Sequence, residues 1–233
     1  MLITSKQNKS FKLWKNLKIK KYRDASDMFL VYGKHLIEKA KQHDAIEEIL
    51  STNEHSIDTV LTKELMDELQ QAETYFDDIA VCKKRNPTIK SNKILMLDDV
   101  QDPDNVGALI RSAAAFGFLH VIVSLKSADF YNEKTIRASK GSIFDVYLER
   151  RPLEAAILEL KNEGYQIVYA DAHEKGDSKQ SGKVVLILGN EGHGISDEIK
   201  SLSDRSIHIP TRNVESLNVS VAGGILMYEW RNL

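Results

Sequence analysis

The second half of the chain alternates short apolar runs with helical segments, and this order constrains the possible folds more than any other feature. The apolar runs are ILMLDDV, HVIVSL, VYLE, YQIVYADA, KVVLILGN and SIHIP, and segments such as NVGALIRSAAAFG and PLEAAILELKNEG have helical periodicity. Short apolar strands that alternate with helices predict a parallel sheet covered on both faces. Ligands of such sheets bind beyond the carboxyl ends of the strands, where functional residues are therefore expected.

The first half predicts a smaller α/β domain. MFLVYG, IEEILST and TYFDDIAVC have the composition of strands, whereas GKHLIEKAKQHD and TKELMDELQQAE have helical periodicity. The polar and basic segment Lys83–Lys93 contains a proline and has no periodicity, which is typical of a linker. We therefore predict an N-terminal domain over residues 1–92 and a C-terminal domain over residues 93–233.

The N-terminus carries a concentrated positive charge. The whole chain has a formal net charge of −2, yet Met1–Arg23 contains seven lysines, one arginine and no acidic residue. Phe11, Trp14 and Leu17 recur at helical spacing between these lysines. A basic helix with aromatic residues suits nucleic acid; the alternatives are a solvated lysine face on a packed helix, a membrane-surface helix and an organelle transit peptide. The candidate nucleic-acid contacts are Lys9, Lys12, Lys15, Lys18, Lys20, Lys21 and Arg23.

The composition argues against several classes of protein. No apolar run approaches the roughly 20 residues that span a membrane, and the N-terminus has no apolar core of a signal peptide. We therefore expect a cytoplasmic protein without a membrane association. The one cysteine, Cys82, leaves no internal disulfide and no cysteine-rich metal site. His193 has no partner histidine at metal-ligand spacing, so we expect no bound metal.

The first of three unusual strand-to-loop junctions reads DDVQDPDNVGALIRSAAAFG. Asn105 can cap the helix that follows, and Leu109, Ala113 and Phe116 form the apolar stripe of that helix. Arg111 lies about 200° from Leu109 around a helix and so points away from the core. It is either an ordinary surface arginine or an anion contact, because its rigid fork of donors suits phosphate.

The second junction, LGNEGHGIS, concentrates glycine directly after an apolar strand. Gly189, Gly192 and Gly194 surround Glu191. Glycines at such a point allow either a sharp structural turn or the close approach of a ligand to the backbone. The spacing matches neither the GxGxxG dinucleotide fingerprint nor a P-loop, so by itself it identifies no ligand.

The third junction, IHIPTRNVESLNVSVAGG, leads from a strand into the C-terminal helix. Pro210 stops the strand, and Ser216 is a favourable N-cap for the helix. Two adjacent glycines, Gly223 and Gly224, cost about 1 kcal/mol each relative to alanine within a helix. They predict a close approach, either of a packed helix in the same chain or of a ligand or second subunit. The residues placed along one side of this helix are Leu217, Val221, Ile225 and Tyr228.

Taken together and in this order, the junctions resemble the SpoU family of RNA ribose 2′-O-methyltransferases, part of the SPOUT superfamily. The block N-x-G-x-x-x-R-[ST]-A is matched over residues 105–113, and G-x-E-G-x-G over residues 189–194. The last block, I-P followed by S-L-N-V-S-V-A, is matched at Ile209–Pro210 and Ser216–Ala222. Residues 1–92 resemble the family's N-terminal substrate-binding domain, with the ITS start, the lysine-rich helix and FLVYGKHLIEKA in the expected places.

The resemblance implies a homodimeric enzyme that binds S-adenosylmethionine (SAM) in a C-terminal trefoil knot and packs partly through its C-terminal helix. The implied fold is a small N-terminal α/β RNA-binding domain followed by a SPOUT domain, which is an α/β knot with a parallel sheet. The implied cofactor-binding residues are Leu188, Gly189, Asn190, Gly194, Ile209 and Leu217. The implied catalytic residues are Asn105, Arg111, Glu191, Ser216 and Asn218.

The implied reaction is attack of an RNA ribose 2′-hydroxyl on the SAM methyl group, which needs alignment and the removal of one proton but no metal. Because arginine stays protonated in proteins, we expect Arg111 to fix an RNA phosphate and orient the hydroxyl, and the proton acceptor stays open. By analogy with the family, the separate basic domain favours ribosomal over transfer RNA as the substrate. The alternatives are a tRNA 2′-O-methyltransferase, a non-catalytic RNA-binding or ribosome-assembly protein, and a Rossmann-type enzyme, which the missing GxGxxG disfavours.

Overall fold

A computed structural model of the chain shows helices and strands in the alternating order that the sequence predicts, over the described residues 1–56, 58–71, 74–85, 89–172 and 182–232. The strands are β1 Leu2–Ile3, β2 Met28–Tyr32, β3 Ile46–Ser51, β4 Thr59–Leu61, β5 Asp78–Lys83, β6 Lys93–Leu97, β7 His120–Val123, β8 Tyr147–Arg150, β9 Gln166–Ala170, β10 Val184–Leu188 and β11 Arg205–Ile207. The helices are α1 Lys9–Asn16, α2 Lys20–Ser26, α3 Lys34–Gln42, α4 Lys63–Leu69, α5 Pro103–Phe116, α6 Glu133–Ser139, α7 Leu153–Asn162, α8 Asp197–Leu202 and α9 Val219–Glu229.

The C-terminal sheet is parallel, as predicted. Its six strands follow the order β11-β9-β10-β6-β7-β8, and every neighbouring pair is parallel. The central strands β6 and β10 are in register, so that Leu97 pairs with Leu188 at their carboxyl ends. The polar segments that follow these two strands consequently begin at the same edge of the sheet.

Helices cover both faces of this sheet, because alternate residues of each strand point to opposite sides. On one face, Leu95 and Leu97 share a core with α5, α6 and α9. On the other face, Ile94 and Met96 share a core with α7 and α8. The motif-bearing helices α5 and α9 therefore lie together on one side of the sheet.

The N-terminal sheet is mixed rather than parallel. Its order is β1-β4-β3-β5-β2, with β5 antiparallel to both of its neighbours. The sequence did not predict β1 or β4, which have two and three residues and are too short to show a period. The strand predicted from Thr74 begins at Asp78 instead.

The basic segment forms two helices rather than one. α1 ends at Asn16, and α2 begins at Lys20 after a short break. Phe11, Trp14 and Leu17 are all buried in the N-terminal core. The apolar side of this segment is therefore a packed helix face, as one of the alternatives held.

The N-terminal and C-terminal sheets share part of one core. Phe29 packs with Phe144, their ring centroids 6.1 Å apart, and belongs to the same buried cluster as Ile136. Nearby, Nη2 of Arg23 lies 2.6 Å from Oδ2 of Asp129. The prediction that Arg23 contacts nucleic acid is wrong, because Arg23 is 5% exposed and its guanidinium is used by this ion pair between the domains.

The amino group of Lys93 holds the ends of two helices together. Its Nζ donates to the carbonyl of Phe116 at 3.0 Å and to that of Arg231 at 2.7 Å. Phe116 ends α5 and Arg231 follows the end of α9, so one cation lies at the negative ends of both helix dipoles. Burial lowers the pKa of Lys93.

Gly223 lies where α9 packs tightly against both α5 and the sheet. A Cβ at this position would lie 2.4 Å from Cδ2 of Leu109 and 2.5 Å from Cδ1 of Leu188. At Gly224 a Cβ would meet only Oγ of Ser112, at 3.8 Å. Packing within the chain therefore explains Gly223, and an additional subunit is not needed to explain it.

We predict that Gly223→Ala lowers the free energy of unfolding by about 1–3 kcal/mol, because the added methyl group overpacks the contact with Leu109 and Leu188. Gly224→Ala is the matched control and should be neutral or stabilising by up to about 1 kcal/mol, since alanine favours the helix. Urea unfolding of both variants measures the difference. Equal stability of the two variants would contradict the packing described for Gly223.

Candidate active site

The segments that follow β6 and β10 are hydrogen-bonded to each other. The amide of Asp98 donates to the carbonyl of Leu188 at 2.8 Å, and Nδ2 of Asn190 donates to the carbonyl of Asp99 at 2.8 Å. The Asp98 carboxylate accepts bonds from the amide and the hydroxyl of Ser196. These contacts fix the glycine-rich segment over residues 189–196 against the edge of the sheet.

Asn105 joins all three motif segments. Its Nδ2 donates to Oε1 of Glu191 at 2.9 Å, and its Oδ1 accepts from Nδ2 of Asn218 at 3.1 Å. The Asn105 residue is 8% exposed, so both ends of a nearly buried amide have partners. The structure thus brings together three of the five predicted catalytic residues, one from each motif.

Two predicted helix caps are wrong. The cap of α5 is Asp102, whose side chain accepts from the amide of Asp104, while Asn105 lies inside the helix. The cap of α9 is Asn218, whose Oδ1 accepts from the amides of Ser220 and Val221. Ser216, the residue predicted to cap this helix, is exposed in the preceding loop.

The glycine-rich segment closes on itself. Asn190 and Gly194 exchange two backbone hydrogen bonds of 3.0 Å each, and a Cβ on Gly189 would lie 2.5 Å from the carbonyl carbon of Gly194. Gly194 has a φ of 71°, which favours glycine. A sharp turn therefore accounts for Gly189 and Gly194, and it leaves open space where a Cβ of Gly194 would point.

Arg111 lies on α5 one turn beyond Gly107, and its side chain is exposed. Within the described part of the chain its guanidinium has no hydrogen-bond or ion-pair partner. Its planar fork of donors is consequently available to an anion such as a phosphate. Within the described residues, Arg111 makes no hydrogen bond to the Glu191–Asn105–Asn218 link.

The predicted apolar cofactor contacts lie at different depths. Leu188 is 2% exposed at the end of β10, and Ile209 packs against the cluster that contains it. Ile209 and Leu217 are half-buried, so each keeps some accessible apolar surface. The loop that carries Leu217 is held by a bond from the hydroxyl of Thr211 to the carbonyl of Val214.

The spacing of apolar residues predicted one apolar side of α9, and in the structure this side faces outward. Val221, Ile225 and Tyr228 are 50%, 37% and 52% exposed, whereas Leu226 and Met227 are buried. The ring of Tyr228 contacts the ring of Phe116 edge-on, at 5.7 Å between centroids. An exposed apolar stripe thus runs along α9 beside the end of α5.

Most of the predicted nucleic-acid contacts in the basic segment have intramolecular partners. Lys12 bonds to Gln7, Lys15 to Glu68, Lys18 to the carbonyl of Gln70, and Lys20 to Asp24. Within the described residues, Lys9 and Lys21 have neither a hydrogen-bond nor an ion-pair partner. Four of these lysines are therefore hydrogen-bonded within the fold, and two of the four, Lys15 and Lys20, are ion-paired with carboxylates.

Ser124 and Asp99 support the candidate site, and they were not predicted from the sequence. The Ser124 hydroxyl donates to Oδ1 of Asp99 at 2.6 Å and accepts from the Asp99 amide at 3.0 Å. Asp99 has a φ of 55°, and its carbonyl holds Asn190. The sequence feature that could have pointed to Asp99 is the pair of acidic residues directly after a buried strand, in LMLDDV.

Among the described residues, no group of three or more histidine, cysteine or acidic side chains could hold a metal ion. In the same part of the chain, no helix is long and apolar enough to cross a membrane. Cys82 is buried, and burial raises the pKa of its thiol to about 12. This thiol therefore stays protonated at neutral pH and is not a nucleophile.

Family comparisons match both parts of the chain. The model of the SpoU rRNA Methylase family matches residues 92–228. The model of the MRM3-like substrate binding domain matches residues 8–87. The two matches meet between β5 and β6, where the chain passes from the first sheet to the second.

Individual relatives cover nearly the whole chain. The 23S rRNA (guanosine(2553)-2'-O)-methyltransferase RlmP of Bacillus subtilis is 36% identical over 245 residues, covering 98% of both proteins. The SpoU methyltransferase AviRb from Streptomyces viridochromogenes, solved in complex with AdoMet, has a TM-score of 0.84 at 26% identity and covers 97% of both chains. The rRNA methyltransferase from Sinorhizobium meliloti has a TM-score of 0.87 at 25% identity and covers 99% of this chain and 97% of its own.

We predict that Asn105→Asp destabilises the protein by about 1–3 kcal/mol at pH 8, because the donor to Glu191 is replaced by a second carboxylate. The introduced carboxyl has a raised pKa in the folded state, so folding is favoured at low pH and loses this advantage as the pH rises. The deficit should therefore be smaller at pH 5 than at pH 8 in urea unfolding. Asn8→Asp, at the N-cap of α1, is the matched control and should be neutral. Wild-type stability of Asn105→Asp at pH 8 would contradict the link.

Proposed function

The chain belongs to the SpoU rRNA Methylase family, and we propose that it transfers a methyl group from S-adenosylmethionine to a ribose 2′-hydroxyl of 23S ribosomal RNA. The observation that carries the proposal is the Glu191–Asn105–Asn218 link, because it joins one residue from each motif of the family. The relative RlmP, aligned over nearly its whole length, is named for a guanosine of 23S rRNA. A guanosine of 23S rRNA is accordingly the proposed target.

The residues proposed to bind the cofactor fit an adenosine-bearing molecule. Ile209 and Leu217 offer half-buried apolar surface, which suits the faces of an adenine ring. The closed turn over residues 189–194 presents backbone groups, with open space beside Gly194. The proposed set is completed by Leu188, Gly189 and Asn190, and Asn190 is itself fixed by Asp99.

S-adenosylmethionine would supply, when bound, the methyl group that the ribose 2′-oxygen takes up as the hydroxyl loses its proton and the S–CH3 bond breaks, leaving S-adenosylhomocysteine. Arg111 has a free guanidinium, and we propose that it binds an RNA phosphate and thereby aligns the neighbouring hydroxyl for in-line attack. Asn105 has both ends of its amide occupied, so its proposed role is to position Glu191 and Asn218. The exposed side chain of Ser216, in the loop before Asn218, completes the proposed active site.

The proposed arrangement of the whole chain follows the family. An RNA-binding domain over residues 1–92 precedes a methyltransferase domain over residues 93–233, whose C-terminal segment is proposed to form a trefoil knot. The match of the family model to residues 92–228 supports this proposal, and α9 packs back against β10, where Gly223 meets Leu188. Lys9 and Lys21 are the predicted RNA contacts whose side chains are free for that role. We propose a cytoplasmic location, where ribosomal RNA is modified.

The proposed assembly is a homodimer formed through α9. Its support is the exposed apolar stripe of Val221, Ile225 and Tyr228, since contiguous exposed apolar surface commonly marks an interface. The stripe lies beside α5, which carries Arg111, so a second copy would border the proposed active site.

We predict that Arg111→Ala lowers the rate of methyl transfer at saturating substrate by at least about 100-fold, since the donor fork that aligns the RNA is lost. The affinity for SAM should change by less than about twofold, because Arg111 acts on the RNA. Transfer of labelled methyl groups to 23S rRNA and calorimetric SAM binding measure the two effects. Lys183→Ala removes an exposed cation of the C-terminal domain that bonds to the carbonyl of Glu163 beyond α7, and it should behave as wild type. Retained turnover in Arg111→Ala would refute the assignment.

We predict that Ile225→Glu converts a dimer to a monomer, because a glutamate at the centre of the stripe would place an unpaired charge in an apolar interface. Sedimentation equilibrium of wild type and variant measures the assembly state. Leu158→Glu, on the exposed face of α7, is the matched control and should leave the dimer intact. A monomeric wild type, or a dimeric Ile225→Glu, would disprove the proposed interface.

A further inference from the structure

Among the residues of α6 and its C-cap, all of the exposed side chains are basic. Lys134, Arg137 and the cap residue Lys140 are exposed, and they recur every three residues. At a rise of about 1.5 Å per residue the three positions span about 9 Å along the axis. The buried side chains of the same helix are Thr135, Ile136 and Ser139. The three exposed cations are named the α6 row below.

The α6 row lies between the N-terminal domain and the helix that carries Arg111. On one side, Gly107 of α5 lies so close that a Cβ there would be 2.5 Å from the carbonyl oxygen of Thr135. On the other side, Nε2 of His35 lies 3.3 Å from the carbonyl oxygen of Lys140. The row therefore occupies the surface between the two parts of the molecule that are proposed to hold RNA.

The charges of the α6 row are largely uncommitted. Within the described residues, the amino groups of Lys134 and Lys140 have neither a hydrogen-bond nor an ion-pair partner. Arg137 has one ion pair, with Glu133 at 3.5 Å, and its side chain remains 44% exposed. This contrasts with α1 and α2, where most of the cations have partners within the fold.

We infer that the α6 row binds the sugar–phosphate backbone of the substrate RNA, between the nucleotides held by the N-terminal domain and the ribose presented to Arg111. The inference rests on the proposed function. Flexible cations that are exposed and free suit phosphates without reading the base sequence. The row thus supplies affinity and sets the path of the RNA, and it leaves the choice of nucleotide to the groups around Arg111.

The competing explanation is a solvated helix face whose cations complement the negative end of the α6 dipole. Such a face stabilises the helix slightly and contributes nothing to RNA binding. The two explanations separate in the salt dependence of RNA affinity, because each phosphate contact releases counterions. Folding stability alone does not distinguish them.

The test is the full-length double variant Lys134→Gln/Lys140→Gln, with Lys161→Gln/Lys183→Gln as the control of equal charge change. Lys161 pairs with Asp204, and Lys183, the residue before β10, bonds to the carbonyl of Glu163, so neither lysine contacts α6 through its charge. The probe is an unmodified transcript of Bacillus subtilis 23S rRNA, whose binding is measured over a series of KCl concentrations. Methyl transfer and SAM binding are measured on the same preparations.

If the α6 row binds phosphates, the double variant should bind this RNA about 10-fold more weakly than wild type at about 0.1 M salt. The slope of log K against log salt should become shallower by about 1.4–1.8, because two phosphate contacts are lost. SAM binding and the melting temperature should match wild type, and the control should keep the wild-type slope. A wild-type slope in the double variant, or an equal loss of slope in the control, would overturn the inference about the α6 row. The proposed function would still stand in that case if the wild-type protein methylates the RNA. Wild-type protein that methylates no RNA overturns both.

Discussion

The side-chain amide of Asn105 is the interaction on which the candidate active site depends. It is nearly buried, and its donor and acceptor ends bind Glu191 and Asn218. Loss of either partner would leave a buried polar group without a bond, which costs more than the bond itself contributes. The glycine-rich segment and the start of α9 are therefore held at a fixed distance from α5. Together with the bonds of Asp98 and Asp99, this amide arranges the glycine-rich segment and the start of α9 in the proposed active site.

The rest of the C-terminal domain allows α5 to occupy that central place. Gly107 admits α6 on one side, and Gly223 brings α9 into contact with Leu109 on another. Lys93 binds the carboxyl ends of α5 and α9 together. Close packing and helix-end electrostatics consequently place Arg111 at the surface while the amide of Asn105 stays inside. The proposed mechanism depends on this difference between two residues of α5: Arg111 is exposed and able to bind RNA, whereas Asn105 is held in place by its hydrogen bonds.

The sequence predicted the parallel sheet, because six short apolar runs alternate with helical segments. This pattern depends only on residues that are close together in the chain. The sequence also predicted the motif residues, through their resemblance to a family. It misassigned Asn105 as a cap, because capping rules consider neighbours within a few residues, whereas its partners lie 86 and 113 residues away. Arg23 was misassigned for the same reason, since Asp129 is 106 residues distant. Local patterns predict elements, and only the folded chain shows which polar groups meet.

The proposed function of this chain is the methylation of a ribose of 23S ribosomal RNA. It is tested most directly by mapping 2′-O-methyl groups in total RNA from a strain that lacks the gene and from its parent. We expect the loss of one 2′-O-methylated guanosine from 23S rRNA, restored by wild-type protein and not by Arg111→Ala. An unchanged pattern in ribosomal RNA, or a methyl group lost only from transfer RNA, would contradict it.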